Sequence, residues 1–187
     1  MDYSYFEEKR CGGELIYDGR IVHLWRDEII LPNGKPGIRE VSRHNGAVAV
    51  VPLTSEGEVI CVKQFRYPFA DVLLEIPAGK LDSKEEDHID AVKRELREET
   101  GVLCKSLTYI GPLYPSVALS DEVIHMYVAT ELEYTEPEPD EDEFLEVLRI
   151  PLNTLIEMIM SGELPDSKTQ VALLKTARLI EQGKIKY

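Results

Sequence analysis

The chain has 187 residues, of which 43% are hydrophobic and 30% charged, with 35 acidic against 21 basic side chains and a formal net charge of −14. This is the composition of a globular protein, and it contains no run of about 18 apolar residues that could span a bilayer as a helix. The acidic excess argues against binding nucleic acid through its phosphates, which requires a basic face. Any anionic small ligand would need a cation between itself and the protein's carboxylates.

The N-terminus, "MDYSYFEEKR", has no apolar core of the kind a secretory leader carries, so a cytoplasmic location is expected. Cys11, Cys61 and Cys104 are odd in number, widely spaced and form no CxxC pair, which predicts reduced thiols. From Gly13 to His44, short β-branched runs are broken by "YDGR" and "PNGKPG", and Asp-Gly and Asn-Gly are hairpin signals. Residues 1–44 are therefore expected to form a small antiparallel β subdomain, with the main domain at 45–187. "AVAVVPL" and "EVICVKQF" are dense apolar runs separated by a polar turn and predict central strands. "DVLLEIPAGKL" leads into a Pro-Ala-Gly bend. A helix is predicted from Lys84 or Asp87 to Thr100, stopped by Gly101, with Ser83 and Glu86 spaced as a capping box. Three further strands follow, in "LTYIGPLY", "EVIHMYVATELEY" and "EFLEVLRI". Two helices close the chain, "PLNTLIEMIMSG" and "DSKTQVALLKTARLIEQG". The mixture predicts a mixed sheet flanked by helices.

The segment "KRELREETG" (residues 93–101) gathers Glu95, Glu98 and Glu99 on neighbouring turns. At about 100° per residue, Glu99 falls about 40° from Glu95 and Glu98 about 60° on its other side. Val92, Leu96 and Ile89 form the adjoining apolar stripe, while Lys93, Glu86, Arg97 and Asp90 fall opposite. Glu95 and Glu99 thus sit on the edge of the face that packs inward. Fully solvated, such like charges would cost only about 0.2–0.5 kcal/mol per pair. Partly desolvated at about 4 Å, they would repel by about 4 kcal/mol at an effective dielectric near 20. A bound Mg²⁺ or Mn²⁺, both of which take oxygen ligands, would turn that repulsion into ligation.

Arg94-Glu95-Leu96-Arg97-Glu98-Glu99-Thr100-Gly101-Val102, with Glu86 seven intervening residues before Arg94 and Gly79 in the lead, resembles the Nudix box. One extra residue separates Gly79 from Glu86 and is assigned to the "KLDSK" loop. "GAVAVVPL", "VKQFRYP", "LLEIPAGKL", "YPSVALSDEVIHMYVA", "DEDEFLEV" and "DSKT" are similar to the ADP-ribose pyrophosphatase branch of that family, although "PSVA" stands where the branch usually has "PSPG". The resemblance implies an α/β (α+β) fold, an α/β/α sandwich with a mixed sheet plus the small N-terminal antiparallel sheet. It implies a homodimer in which the N-terminal sheet is often exchanged. The implied activity is Mg²⁺-dependent (or Mn²⁺-dependent) cleavage of a nucleotide-sugar diphosphate, such as ADP-ribose, to AMP and a sugar phosphate. Hydrolysis of another nucleotide, or nucleotide-sugar sensing without cleavage, are the alternatives.

Residue roles follow from both lines. Glu95 and Glu99 are metal ligands on helical spacing, and the resemblance adds Glu98 and the backbone carbonyl of Ala78. Arg94 reads as an ion-pair partner and Glu86 as part of the loop or helix start. In this branch the general base often comes from the acidic loop before the last strand, which here offers Glu141 and Glu143, with Glu98 the other choice. The same letters also suit a solvated charge run. Arg66 ends an apolar strand, where a cation meets phosphate or a surface carboxylate. Glu75 reads as a buried carboxylate near the metal, serving substrate or structure. Glu122 matches a family position near the ligand. Trp25 reads as packing and His88 and His125 as structural, while Lys168 and Thr169 in "DSKT" resemble a family feature at a helix start, where Asp166 or Ser167 serves as the cap.

Overall fold

The computed structural model describes residues 3–138 and 144–187. Two compact units are present, one of Met1–Asn45 with Ser116–Glu122 and one of Gly46–Pro115 with Val123–Tyr187. The first unit is a three-stranded antiparallel sheet, β1 (Lys9–Asp18), β2 (His23–Ile30) and β3 (Pro36–Arg43), in that order. Gly34 takes φ +81° in the "PNGK" turn, a conformation that favours glycine. Asp27 is buried on β2, but Arg10 (2.9 Å) and Arg43 (2.5 Å) neutralise it. Trp25 is half-buried on β2, opposite Leu15 of β1 and Val41 of β3. The later segment joins this unit where Ser42 N–H donates to the Leu119 carbonyl at 2.8 Å and His44 N–H to Asp121 at 2.7 Å.

The second unit contains β4 (Ala47–Pro52), β5 (Glu58–Arg66), β6 (Asp71–Glu75), β7 (Ala78–Lys80), α1 (His88–Thr100) and β8 (Val102–Leu113). It continues with β9 (Ile124–Tyr134), β10 (Glu146–Pro151), α2 (Leu152–Ser161) and α3 (Ser167–Glu181). One sheet has the order β7-β4-β9-β8 and is mixed, since β4 and β9 run parallel while the other pairs are antiparallel. The other, β10-β5-β6, is antiparallel. Every residue of β4 is buried, the expected fate of a continuous apolar run with neighbours on both faces. Ala47, Ala49 and Val51 pack into a cluster with Leu155 of α2 and Leu173 of α3. Val48 and Val50 pack instead with Ala91, Val92 and Leu96 of α1. Alternation along one strand thus feeds two cores with helices on opposite sides, the α/β/α arrangement. Each fully buried Val or Leu contributes about 1.5–3 kcal/mol relative to exposure.

Three local expectations are corrected. Helix α1 starts at His88, because the Asp87 carboxylate caps it by accepting from the Ile89 and Asp90 N–H groups at 2.8 and 3.2 Å. Ser83 and Glu86 do not form a capping box. Strand β8 begins at Val102, directly after the helix, five residues before the apolar run that suggested it. Ile89 is exposed, so the apolar stripe of α1 begins at Ala91 and Val92. Among the described residues, no helix is long and apolar enough to cross a membrane. All three cysteines are free, and burial pushes the Cys61 thiol up to about 12.

Candidate active site

Helix α1 carries the acidic cluster on its inner edge. Glu95 and Glu99 are 8% and 3% exposed, while Glu98 is half-buried. The helix ends where Gly101 takes φ +66° and donates to the Arg97 carbonyl at 2.8 Å. A side chain at Gly101 would also strike the backbone of Thr135–Pro137. That segment covers the helix end, with Thr135 N–H donating to the Gly101 carbonyl (2.6 Å) and Glu138 N–H to the Glu98 carbonyl (3.1 Å).

Short strand β7 lies against the same edge, held by pairing of Ala78, Gly79 and Lys80 with Ala49, Val48 and Ala47 of β4. Ala78 N–H donates to Glu99 Oε2 at 3.0 Å. At Gly79 the Glu95 carboxyl group occupies the space a Cβ would need. The glycine is therefore required by close approach, not by a left-handed backbone.

Repulsion among the carboxylates is offset by Arg94. Its guanidinium donates from Nη1 to Glu95 (2.7 Å) and Glu98 (3.3 Å), and from Nη2 to Glu86 and the Lys80 carbonyl (3.2 Å each). Burial works against the arginine's charge, but Glu95 and Glu86 more than reverse this and hold its pKa raised. Glu86 precedes the helix, so the helical wheel does not apply to it. Its other oxygen accepts from Asp82 N–H at 2.6 Å, which closes the 82–86 loop onto Arg94. Opposite charges held this way orient the carboxylates as well as neutralising them.

The donor set suits a hard divalent cation. Glu95, Glu98 and Glu99 supply carboxylate oxygens, β7 brings main-chain oxygens beside the helix, and the missing Cβ of Gly79 leaves Glu95 its place. Among the described residues, no three His, Cys, Asp or Glu side chains are gathered into a ready-made ligand cage. The carboxylates are arranged instead around Arg94 and the Ala78 N–H.

A second ionic cluster adjoins the first. Glu75, at the end of β6, is 1% exposed. Arg66, at the end of β5, grips it with Nε on Oε1 and Nη2 on Oε2, each at 2.6 Å. Lys168, in the first turn of α3, donates to Glu75 Oε2 as well. Burial alone would raise the Glu75 carboxyl, but the hydrogen bonds and charges of Arg66 and Lys168 hold it below the ordinary carboxylate range. Glu75 likewise raises Arg66, with Asp166 and Glu99 adding to the effect, so Arg66 lies within electrostatic reach of the α1 cluster. Asp166 caps α3 by accepting from Thr169 N–H (2.9 Å), and it also accepts from Lys168 (3.0 Å) and the Thr169 hydroxyl (2.6 Å). The Thr169 oxygen accepts from Ile76 N–H at 3.0 Å, tying the helix start to the residue after Glu75.

The structure thus groups Glu95, Glu98, Glu99 and Ala78, and pairs Arg66 with Glu75. Glu122 lies in the first unit, where its N–H donates to Ser120 at 3.1 Å and its carboxylate stands 3.9 Å from His44. Glu141 and Glu143 lie outside the described residues. His88 and His125 stack on each other with ring centroids 3.7 Å apart. Lys168 was marked in the sequence only by the likeness of "DSKT" to a family feature at a helix start, and what sequence reasoning missed is its bond to Glu75.

Comparison with known proteins agrees with this geometry. A family profile described as "NUDIX domain" matches residues 43–170, and one described as "Nucleoside diphosphate sugar hydrolase N-terminal domain" matches residues 8–42. An ADP-ribose pyrophosphatase of Bacillus subtilis is 44% identical over 169 residues, covering 89% of this chain and 91% of that one. A methanol dehydrogenase activator of Bacillus methanolicus is 41% identical over 170 residues, covering 90% and 91%. A solved structure described as an ADP compounds hydrolase superposes with a TM-score of 0.84 at 22% identity, over 96% of this chain and 97% of that one, and supports the fold. The glutamate-bearing helix, the glycine it packs against and a family match spanning most of the sequence lead to one conclusion: this chain belongs to the Nudix family and is a pyrophosphohydrolase.

Proposed function

We propose that this chain hydrolyses the diphosphate of ADP-ribose, or of a closely related ADP-sugar, to AMP and a sugar phosphate, using Mg²⁺ (or Mn²⁺). The observation that most supports the reading is the placement of Glu95, Glu98 and Glu99 on the inner edge of α1, with Glu95 against Gly79 and Glu99 within electrostatic reach of Arg66. The B. subtilis relative supports the choice of substrate. Glu95, Glu98, Glu99 and the Ala78 carbonyl would hold the ion. Such an ion, when bound, neutralises diphosphate oxygens and lowers the pKa of water. Arg94 keeps Glu95 and Glu98 oriented. Arg66 binds the diphosphate, held in position by Glu75, and Glu122 is a further candidate for substrate contact. Glu141, Glu143 or Glu98 takes the proton from the attacking water, a role worth about 10²–10⁴ in rate. The acidic segment starts at Glu138, whose N–H is bonded to the Glu98 carbonyl, which supports a base from that segment.

The proposal divides the chain into a dimerising β subdomain, 1–44, and a hydrolase domain, 45–187, in a cytoplasmic homodimer. The individually exposed Leu15, Ile16, Tyr17, Ile21, Val22 and Ile38 in the first unit support the dimer, as apolar surface that a second copy would cover. Light scattering on the eluted protein checks it, and a monomer mass at micromolar concentration would refute it.

The substrate is tested by comparing AMP release from ADP-ribose with turnover of a panel of GDP-mannose, nucleoside triphosphates and dinucleoside polyphosphates, each with Mg²⁺. Turnover of another member while ADP-ribose stays intact would remove the proposal. ADP-ribose bound but never cleaved would favour a sensor. The B. methanolicus relative, named as a methanol dehydrogenase activator, favours a second reading in which this activity serves a partner enzyme. Assay of a methanol dehydrogenase with and without this chain tests it.

A further inference from the structure

We propose that Lys168 is a positioning residue for substrate binding: acting through Glu75, it holds the Arg66 guanidinium outward for the diphosphate. This inference rests on the reading of Arg66 as a phosphate-binding group.

Glu75 is a fully buried carboxylate that takes part in three ionic hydrogen bonds, two from Arg66 and one from Lys168. The two cations are not equivalent. The Arg66 side chain is 39% exposed and the Lys168 side chain 12%, so the lysine takes the interior side of the carboxylate and the arginine the open side. Lys168 is also bonded to Asp166, and Asp166 is fixed by the Thr169 N–H and hydroxyl. The ammonium group is therefore held between two carboxylates and is not free to meet a ligand itself. Thr169 in turn accepts from Ile76 N–H, so the first turn of α3 fixes both Glu75 and the residue after it.

The consequence concerns Arg66. With both cations present, Arg66 shares the Glu75 carboxylate with Lys168 and need not satisfy it alone, and the exposed cation of the cluster is the guanidinium. Without the lysine, Arg66 alone would have to satisfy a buried carboxylate, and a desolvated anion draws its remaining partner inward. The arginine would then form a closed, neutral pair with Glu75, at the expense of its reach toward an anionic ligand.

The test uses K168M and K168R in the full chain. Calorimetry measures affinity for a non-hydrolysable methylene-bridged ADP-ribose analogue in Mg²⁺, and steady-state assays measure kcat and KM separately. In K168M the analogue Kd and the KM for ADP-ribose should rise by about tenfold to a hundredfold, the scale of one charge-assisted hydrogen bond, while kcat changes by less than about threefold. K168R should recover most of the affinity. In an R66A background the K168M substitution should cost little more, because the lysine acts through the arginine. Wild-type affinity in K168M would overturn the inference, as would an equal loss with and without Arg66. If the wild type itself fails to bind the analogue, the substrate reading fails instead, and a crystal structure of K168M decides this point alone. A guanidinium drawn further inward onto Glu75, and less exposed than in the wild type, would support the inference, and an unmoved guanidinium or one released from Glu75 would overturn it.

Discussion

Gly79→Ala separates the site from the fold. A Cβ at residue 79 would fall closer to the Glu95 carboxyl group than the 3.0 Å that real side chains tolerate. Because the obstructing atoms are the far end of a side chain, the strand stays in place and the carboxylate retreats by about 1 Å, a displacement that can cost about 10² in rate where geometry matters. The retreat also strains the 2.7 Å bond from Arg94 to Glu95, a charge-assisted bond worth about 1.5–3 kcal/mol. Loss of glycine's unfolded-state freedom returns about 0.4–1 kcal/mol. The net cost to stability is about 1–2 kcal/mol, a fall in Tm of about 2–8 °C for a chain of this size. Scanning calorimetry and kcat/KM for ADP-ribose over a Mg²⁺ series provide the two readouts. The expectation is a folded protein with kcat/KM reduced about a hundredfold and a raised Mg²⁺ requirement. A folded G79A with wild-type kcat/KM and wild-type Mg²⁺ dependence would refute the placement of Glu95 at the metal.

Two further outcomes can be checked. Glu75 is held below the ordinary carboxylate range, so its stabilising effect is fully present above its unfolded pKa of about 4.3 and is lost as pH falls through the lowered folded value. E75Q should lose about 3–5 kcal/mol at pH 7, because two cations are left facing a neutral amide, and its Tm should fall less steeply than the wild type's below pH 4. Thermal melts from pH 7 to 3 measure both. Among the thiols, exposed Cys11 should react with a disulfide reagent in the native protein, while Cys61, buried and with its pKa pushed up to about 12, should react only on unfolding. Native-state labelling followed by mass spectrometry distinguishes them.

What the sequence revealed depended on the range of the interactions. The inward placement of Glu95 and Glu99 needed only helical period and an apolar stripe, both local. The stop at Gly101 was legible for the same reason. The helix start was not, because "SKEED" offers two capping residues and the letters do not say which carboxylate turns back. In the structure Asp87 caps the helix, and Glu86 reaches Arg94 and Asp82 N–H instead. Placing Glu86 on the wheel therefore hid its share in holding Arg94, the ion-pair partner that offsets part of the repulsion assigned to a metal. The Lys168–Glu75 bond joins residues 93 positions apart and depends on how α3 meets β6, which no local pattern encodes. Burial of β4 on both faces was legible from its unbroken apolar run. The early start of β8 was not, because exposed Leu103 beside buried Val102 breaks the apolar-polar alternation that marks a half-exposed strand.

The most direct measurement is AMP release from ADP-ribose in Mg²⁺ by the wild type and E99Q, compared at matched Tm. Glu99 is 3% exposed and accepts from Ala78 N–H, a bond that the amide oxygen of glutamine can keep. Wild-type turnover that stops on chelation and is absent in a normally folded E99Q is the predicted result. An E99Q that releases AMP at the wild-type rate, with the same dependence on Mg²⁺, would contradict it.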